Sequence, residues 1–161
     1  MSRPMEPVRR CLGVDQWPEN DQELWRGVTA PRHVLDVDGG RSADWREPTR
    51  EKNRKGYGRW LSFLIANDDL KADAQPADRI TRDQVKTYVL MLQDQIAPWT
   101  VWSYVTCLHQ VARAFAPTQD WTWLYKIAAK LKVRRIATRN KLARMRSPEE
   151  IATWAYGRLD A

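Results

Sequence analysis

Nine Lys or Arg residues stand between Lys126 and Arg146, with no Asp or Glu among them. Cations at that density, unbalanced by acids, suit the phosphate backbone of a nucleic acid, because each neutralised phosphate releases condensed counterions. A solvated basic linker that touches nothing is the plainer alternative. Residues that make and break bonds are sparse by comparison. His33 falls in a loop, and His109 lies on a helix with Arg113 four residues on; each suits a surface or capping role. Cys11 and Cys107 share no short spacing, which excludes a zinc motif and argues against a disulfide framework. There is no Gly-rich phosphate loop, no His-Glu-x-x-His and no nucleophile–base arrangement. The carboxylate pairs Asp68-Asp69 and Glu149-Glu150 sit at helix ends, where acids act as caps. No cofactor, metal ligand set or catalytic residue is expected.

The formal net charge of +7 is unevenly spread. Residues 1–45 carry six basic and eight acidic side chains, residues 46–146 carry twenty and nine, and residues 147–161 carry one and three. A basic middle between mildly acidic ends reads as a polyanion-binding unit. Nine Trp are many for such a chain, and most are expected to be core or helix-docking anchors, with one or two at a stacking surface. No apolar run approaches the ~20 residues needed to span a bilayer. The first residues also lack the apolar stretch of a signal peptide. A reduced, cytoplasmic setting without membrane contact is the expectation.

The elements that must position these cations read as helices throughout. Residues 1–47 form an irregular arm punctuated by Pro4, Pro7, Pro18 and Pro31, with Trp17, Trp25 and Trp45 to dock it and a short helix starting near Glu19. A first helix begins at Pro48, with Tyr57, Trp60, Leu61, Leu64 and Ile65 forming one apolar stripe. Its first half carries Arg50, Lys52, Arg54, Lys55 and Arg59, and Gly56 and Gly58 admit another backbone. Thr81 with Gln84 makes a capping box for a second helix burying Val85, Tyr88, Val89 and Leu92. A third runs from about Trp99 to Phe115 behind Pro98, and Thr100 and Ser103 near its start can each bond a phosphate or a base. Asp120 caps a fourth, which carries Lys126, Lys130 and Arg134 four apart on its outside. After a linker at 135–146, Ser147-Pro148-Glu149-Glu150 announces one more helix, with Ile151, Trp154, Ala155 and Leu159 as its apolar stripe.

The order of these signals resembles a known family. Asp21-x-x-Leu24-Trp25 is followed by Tyr57-Gly58-x-Trp60-Leu61-x-Phe63-Leu64, then by Pro76-x-x-x-Ile80-Thr81-x-x-x-Val85-x-x-Tyr88-x-x-x-Leu92. Pro98-Trp99-Thr100-Val101-x-x-Tyr104-x-x-x-Leu108 and Trp121-x-Trp123-Leu124 complete the series. Over about residues 20–146 this is similar to the N-terminal core-binding domain of tyrosine recombinases, the phage-integrase type of mobile-element enzyme. The resemblance implies an all-α fold: a four-helix, SAM-like orthogonal bundle at 48–134 that forms half of a clamp on double-stranded DNA, with other recombinase protomers as possible neighbours. It implies that the first and third bundle helices face the major groove, through Arg50, Asn53, Arg54 and Lys55 on one and Trp99, Thr100 and Ser103 on the other. It further implies that Arg134, Arg135, Arg139 and Lys141 belong to an interdomain linker tracking the DNA backbone. Relatives often have Lys where this chain has Trp99.

Catalysis in that family needs an Arg, a Lys, a His-x-x-Arg pair and a nucleophilic Tyr in a further C-terminal domain. This chain has no His-x-x-Arg, and Tyr156 lies too near the start of that domain to be the nucleophile. Residues 147–161 accordingly read as the opening of a truncated domain, and the chain as a fragment that grips DNA during integration or recombination without catalysing it. Two other classes fit the composition: a helix-turn-helix regulator using 82–93 and 99–115, and a helical protein-interaction module docking through its Trp-rich arm.

Overall fold

The computed structural model describes residues 10–35, 41–135 and 146–159. Among these the chain is helical, with no strand: α1 Glu19–Thr29, α2 Glu47–Ala66, α3 Arg82–Gln95, α4 Pro98–Phe115, α5 Thr122–Arg134 and α6 Pro148–Leu159. The boundaries follow local chemistry. Pro48 occupies the first turn of α2, where its missing N–H costs nothing. At the other end Asp68 takes a left-handed conformation (φ 57°). There the Asp69 N–H bonds the Leu64 carbonyl at 2.9 Å and the Asp68 N–H bonds that of Ile65 at 3.1 Å, a Schellman closure that usually employs glycine. The Thr81 hydroxyl accepts from the Gln84 N–H at 3.3 Å and starts α3 as the capping pattern requires. Asp120 caps α5 from one position further out than expected, accepting the Thr122 N–H at 2.9 Å.

α4 is the hub, packed against α1, α2, α3 and α5. With α2 it forms an antiparallel pair whose register is fixed by three matches: Asn53 with Gln110, Gly56 with Cys107, and Arg59 with Tyr104. Gly56 permits this approach, since a Cβ there would lie 2.5 Å from Cys107 Cβ. Gly58 admits a second neighbour. The backbone at Leu12 crosses α2 so closely that a Cβ on Gly58 would meet the Leu12 carbonyl at 2.4 Å. The two expected backbone approaches are therefore both present, one a helix and the other the N-terminal segment.

Residues 10–30 are continuous with the core and do not form a separate appendage. Trp17 and Trp25 are buried, and their rings meet edge to face at 5.5 Å. Trp17 then meets Tyr57 at 5.1 Å, and Tyr57 meets Phe115 at 5.3 Å. Beneath them lies a buried ion pair: Arg79 Nη1 donates to both oxygens of Asp21, at 2.6 and 2.8 Å. Tyr57 Oη donates to the same carboxylate at 2.6 Å. Arg79 gives its remaining donors to the carbonyls of Lys71, Ala72 and Ala74. Every charged atom there has a partner, which is what makes a buried pair tolerable. Burial, reinforced by the Asp21 charge, holds the Tyr57 hydroxyl protonated well above its usual range.

Two expectations need correction here. Ile65, assigned to the apolar stripe of α2, is 43% exposed, because the stripe runs out where the Schellman turn leaves the bundle. His109, assigned to the surface, is buried with its ring 5.7 Å from that of Tyr125, because α5 closes over that side of α4.

Candidate nucleic-acid interface

The cations of α2 do not form one free row. Glu51 accepts Arg54 Nε and Nη2, both at 2.7 Å, and lies 3.3 Å from Lys55 Nζ. The hydrogen bonds from Arg54, followed by those from Lys55, hold the Glu51 carboxyl down at about 2, against an ordinary value of 4.5. Arg50 lies 3.5 Å from Glu47 in the same way. Three of the α2 side chains expected at DNA are thus already neutralised by acids one turn away. Asn53 is a plain correction: it is 1% exposed, and its Nδ2 donates to Gln110 Oε1 at 2.8 Å across the α2–α4 seam. A side chain spent inside that seam cannot reach a groove.

The start of α4 is differently furnished. Trp99 is 52% exposed and meets Trp102 edge to face at 5.3 Å. Arg135, the first residue beyond α5, lays its guanidinium on both rings, 4.3 Å from the centroid of Trp99 and 4.4 Å from that of Trp102. One turn along α4, Arg59 lies 4.7 Å over the ring of Tyr104. Arg59 Nε and Arg135 Nη1 are both buried donors without a hydrogen-bond partner. On the helical wheel Ser103 and Thr100 fall between Trp99 and Tyr104, and both are only partly buried. Two flat guanidiniums and two hydroxyls therefore surround the first turns of α4.

The structure brings together four of the sequence-predicted residues, Trp99, Thr100, Ser103 and Arg135, and sets Arg50, Arg54 and Lys55 elsewhere. The antiparallel register places Thr100 level with Phe63, nine residues beyond Arg54, or about 13 Å along the axis. Arg134 is exposed at the end of α5, beside Pro98 and Val101 of α4. Arg139 and Lys141 lie outside the described residues. Arg59, Trp102 and Tyr104 were not among the expected site residues. Nothing local distinguishes Arg59 from the other α2 cations; only the register with α4 gives it a ring instead of an acid.

His109 and Arg113 share a cleft of about 320 Å³ with Asp120, Trp121 and Tyr125. Its carboxylate is engaged at the start of α5, where hydrogen bonding to Thr122 holds Asp120 below its usual range. Among the described residues no His, Cys, Asp and Glu cluster has the makings of a metal site. No helix among them is long and apolar enough to cross a membrane. Compared with known proteins, the chain matches no protein family, no curated protein and no solved structure.

Proposed function

We propose that this chain grips duplex DNA by its phosphates, as a helical domain of the kind that forms the core-binding half of a tyrosine recombinase, and that it breaks no strand itself. The observation that carries the reading is the convergence of Arg59 and Arg135 on either side of Thr100 and Ser103. Each guanidinium is held flat on aromatic rings, faces no acid and keeps a donor unspent. A planar fork already fixed in orientation loses little freedom on meeting a phosphate oxygen. The basic segment that starts at Arg135 then extends the same contact along the backbone. The order of α1 to α5 follows the motif order on which the family resemblance rests, which supports a clamp-like role and a SAM-like arrangement.

α4 limits how such a domain could read sequence. From Val101 onward its buried residues include Val105, Cys107, Leu108, Val111 and Ala112, so only the first turns are open to a groove. Contacts confined to phosphates and one helix end position a protein without specifying bases. The same burial argues against a helix-turn-helix regulator, which needs the second helix of the pair lying along the major groove.

The test is fluorescence anisotropy of the full chain with labelled duplexes of unrelated sequence over a salt series. The expected outcome is binding that differs little between sequences and weakens steeply as salt rises. Absence of binding to any duplex at low salt would remove the proposal.

A further inference from the structure

A groove runs between α3 and α5, away from the start of α4. It measures about 460 Å³, and its floor is apolar, formed by Val89, Leu90, Trp123 and Ile127. Leu90 is 57% exposed, an unusual position for a Leu beside other apolar side chains. Four cations stand around this floor, Arg82, Lys86, Lys126 and Lys130, with Asp83 as the lone acid in the lining. Among the described residues none of the four forms an ion pair. An apolar floor with a basic rim is matched by an amphipathic helix bearing acids, laid lengthwise in the groove.

α6 has that character. Its side chains from Pro148 to Arg158 are all exposed, so it stands clear of its own bundle. Ile151 and Trp154, one turn apart, are 53% and 55% exposed. Glu149 and Glu150 occupy its first turn, held in helical form by a reciprocal cap in which Ser147 Oγ accepts the Glu150 N–H at 3.2 Å. The hold of Trp99 and Trp102 on Arg135 starts the connecting segment on α4, at the opposite end of α5 from Trp123. We infer that the α3–α5 groove receives α6 of a second copy of this chain, and that two chains exchange these helices reciprocally in a closed dimer. Apolar burial of Ile151 and Trp154 supplies the attraction, and the basic rim facing Glu149 and Glu150 selects the helix. This does not rest on the DNA reading and uses a different face of the bundle.

The experiment measures the molar mass of the full chain by light scattering across a dilution series, with two charge-reversed variants. The wild type is expected to approach twice 18.9 kDa as concentration rises. K126E/K130E and E149K/E150K should each weaken association at least tenfold, with helicity by circular dichroism unchanged because all four side chains are exposed. Mixed in equal amounts, the two variants should dimerise again, since each groove then meets a helix of opposite sign. W154D, which leaves the charges in place, should also abolish association. A chain that stays monomeric at every concentration would overturn the inference, as would a dimer indifferent to these changes. Failure of the mixture to recover, as expected if α6 docked on its own bundle, would overturn it equally.

Discussion

Arg54 and Arg59 stand five residues apart on one helix and have opposite partners. Arg54 is locked to Glu51 by two hydrogen bonds of 2.7 Å, one turn away on α2 itself. Arg59 lies over Tyr104 of α4, and Arg135 lies over Trp99 and Trp102, with no acid at either. An arginine paired with a carboxylate contributes little net field, whereas one held on a ring keeps its full charge and a fixed orientation. Counting cations along a helix therefore overstates how many are available to a polyanion. Arg79 extends the comparison inward: paired with Asp21 and nearly inaccessible, it serves the fold alone.

The largest expected effect separates the buried pair from the surface. Asp21→Ala strands the Arg79 guanidinium in the core and should cost about 3–5 kcal/mol, seen as a lowered urea midpoint. Any duplex affinity should be retained wherever the variant is still folded. Next comes the ring-held pair. Arg59→Ala with Arg135→Ala should lower duplex affinity roughly a hundredfold at low salt, measured by anisotropy, while thermal melting moves little. Trp99→Leu with Trp102→Leu keeps Arg135 but removes its rings, at about 0.5–1 kcal/mol for each cation–π contact. Affinity should fall a further step less than on losing both arginines, and the difference measures how much orientation matters beyond charge.

The smallest effect lies on the acid-paired side. Glu51→Gln should change stability by less than about 0.5 kcal/mol, since the pair is exposed to solvent. Its pH dependence has a definite sign. Because the folded carboxyl is held down at about 2 from an ordinary 4.5, its contribution is complete above pH 4.5 and disappears as pH falls towards 2. A carboxyl titration followed by NMR, with a Glu51 midpoint near 2, checks this directly; a midpoint near 4.5 would mean that Arg54 is free after all.

The helices were readable because their signals are local. Pro48, the Thr81–Gln84 box and the 3.6-residue apolar spacing lie within a few residues of what they control. The glycines at 56 and 58 also announced close approach, though not by which neighbour. Part of the site was readable and misjudged. Glu51 stands three before Arg54 and four before Lys55, a spacing that predicts neutralisation. Asn53 stands four before Tyr57, on the apolar stripe, which predicts burial. The burial of His109 had a similar trace, four residues after Val105. By contrast, Asp21 and Arg79 are 58 residues apart, and Arg59 finds Tyr104 only through the packing of α2 on α4. Such pairings exist only once the tertiary register is set, and no window of sequence contains them.

The salt dependence of duplex binding, compared among Arg54→Ala, Arg59→Ala and Arg135→Ala, tests the account most directly. If ring-held arginines meet phosphate and acid-paired ones do not, Arg59→Ala and Arg135→Ala should each lower the slope of log affinity against log salt by about 0.9, and Arg54→Ala should leave it unchanged. A slope reduced by Arg54→Ala, with the other two unaffected, would contradict it.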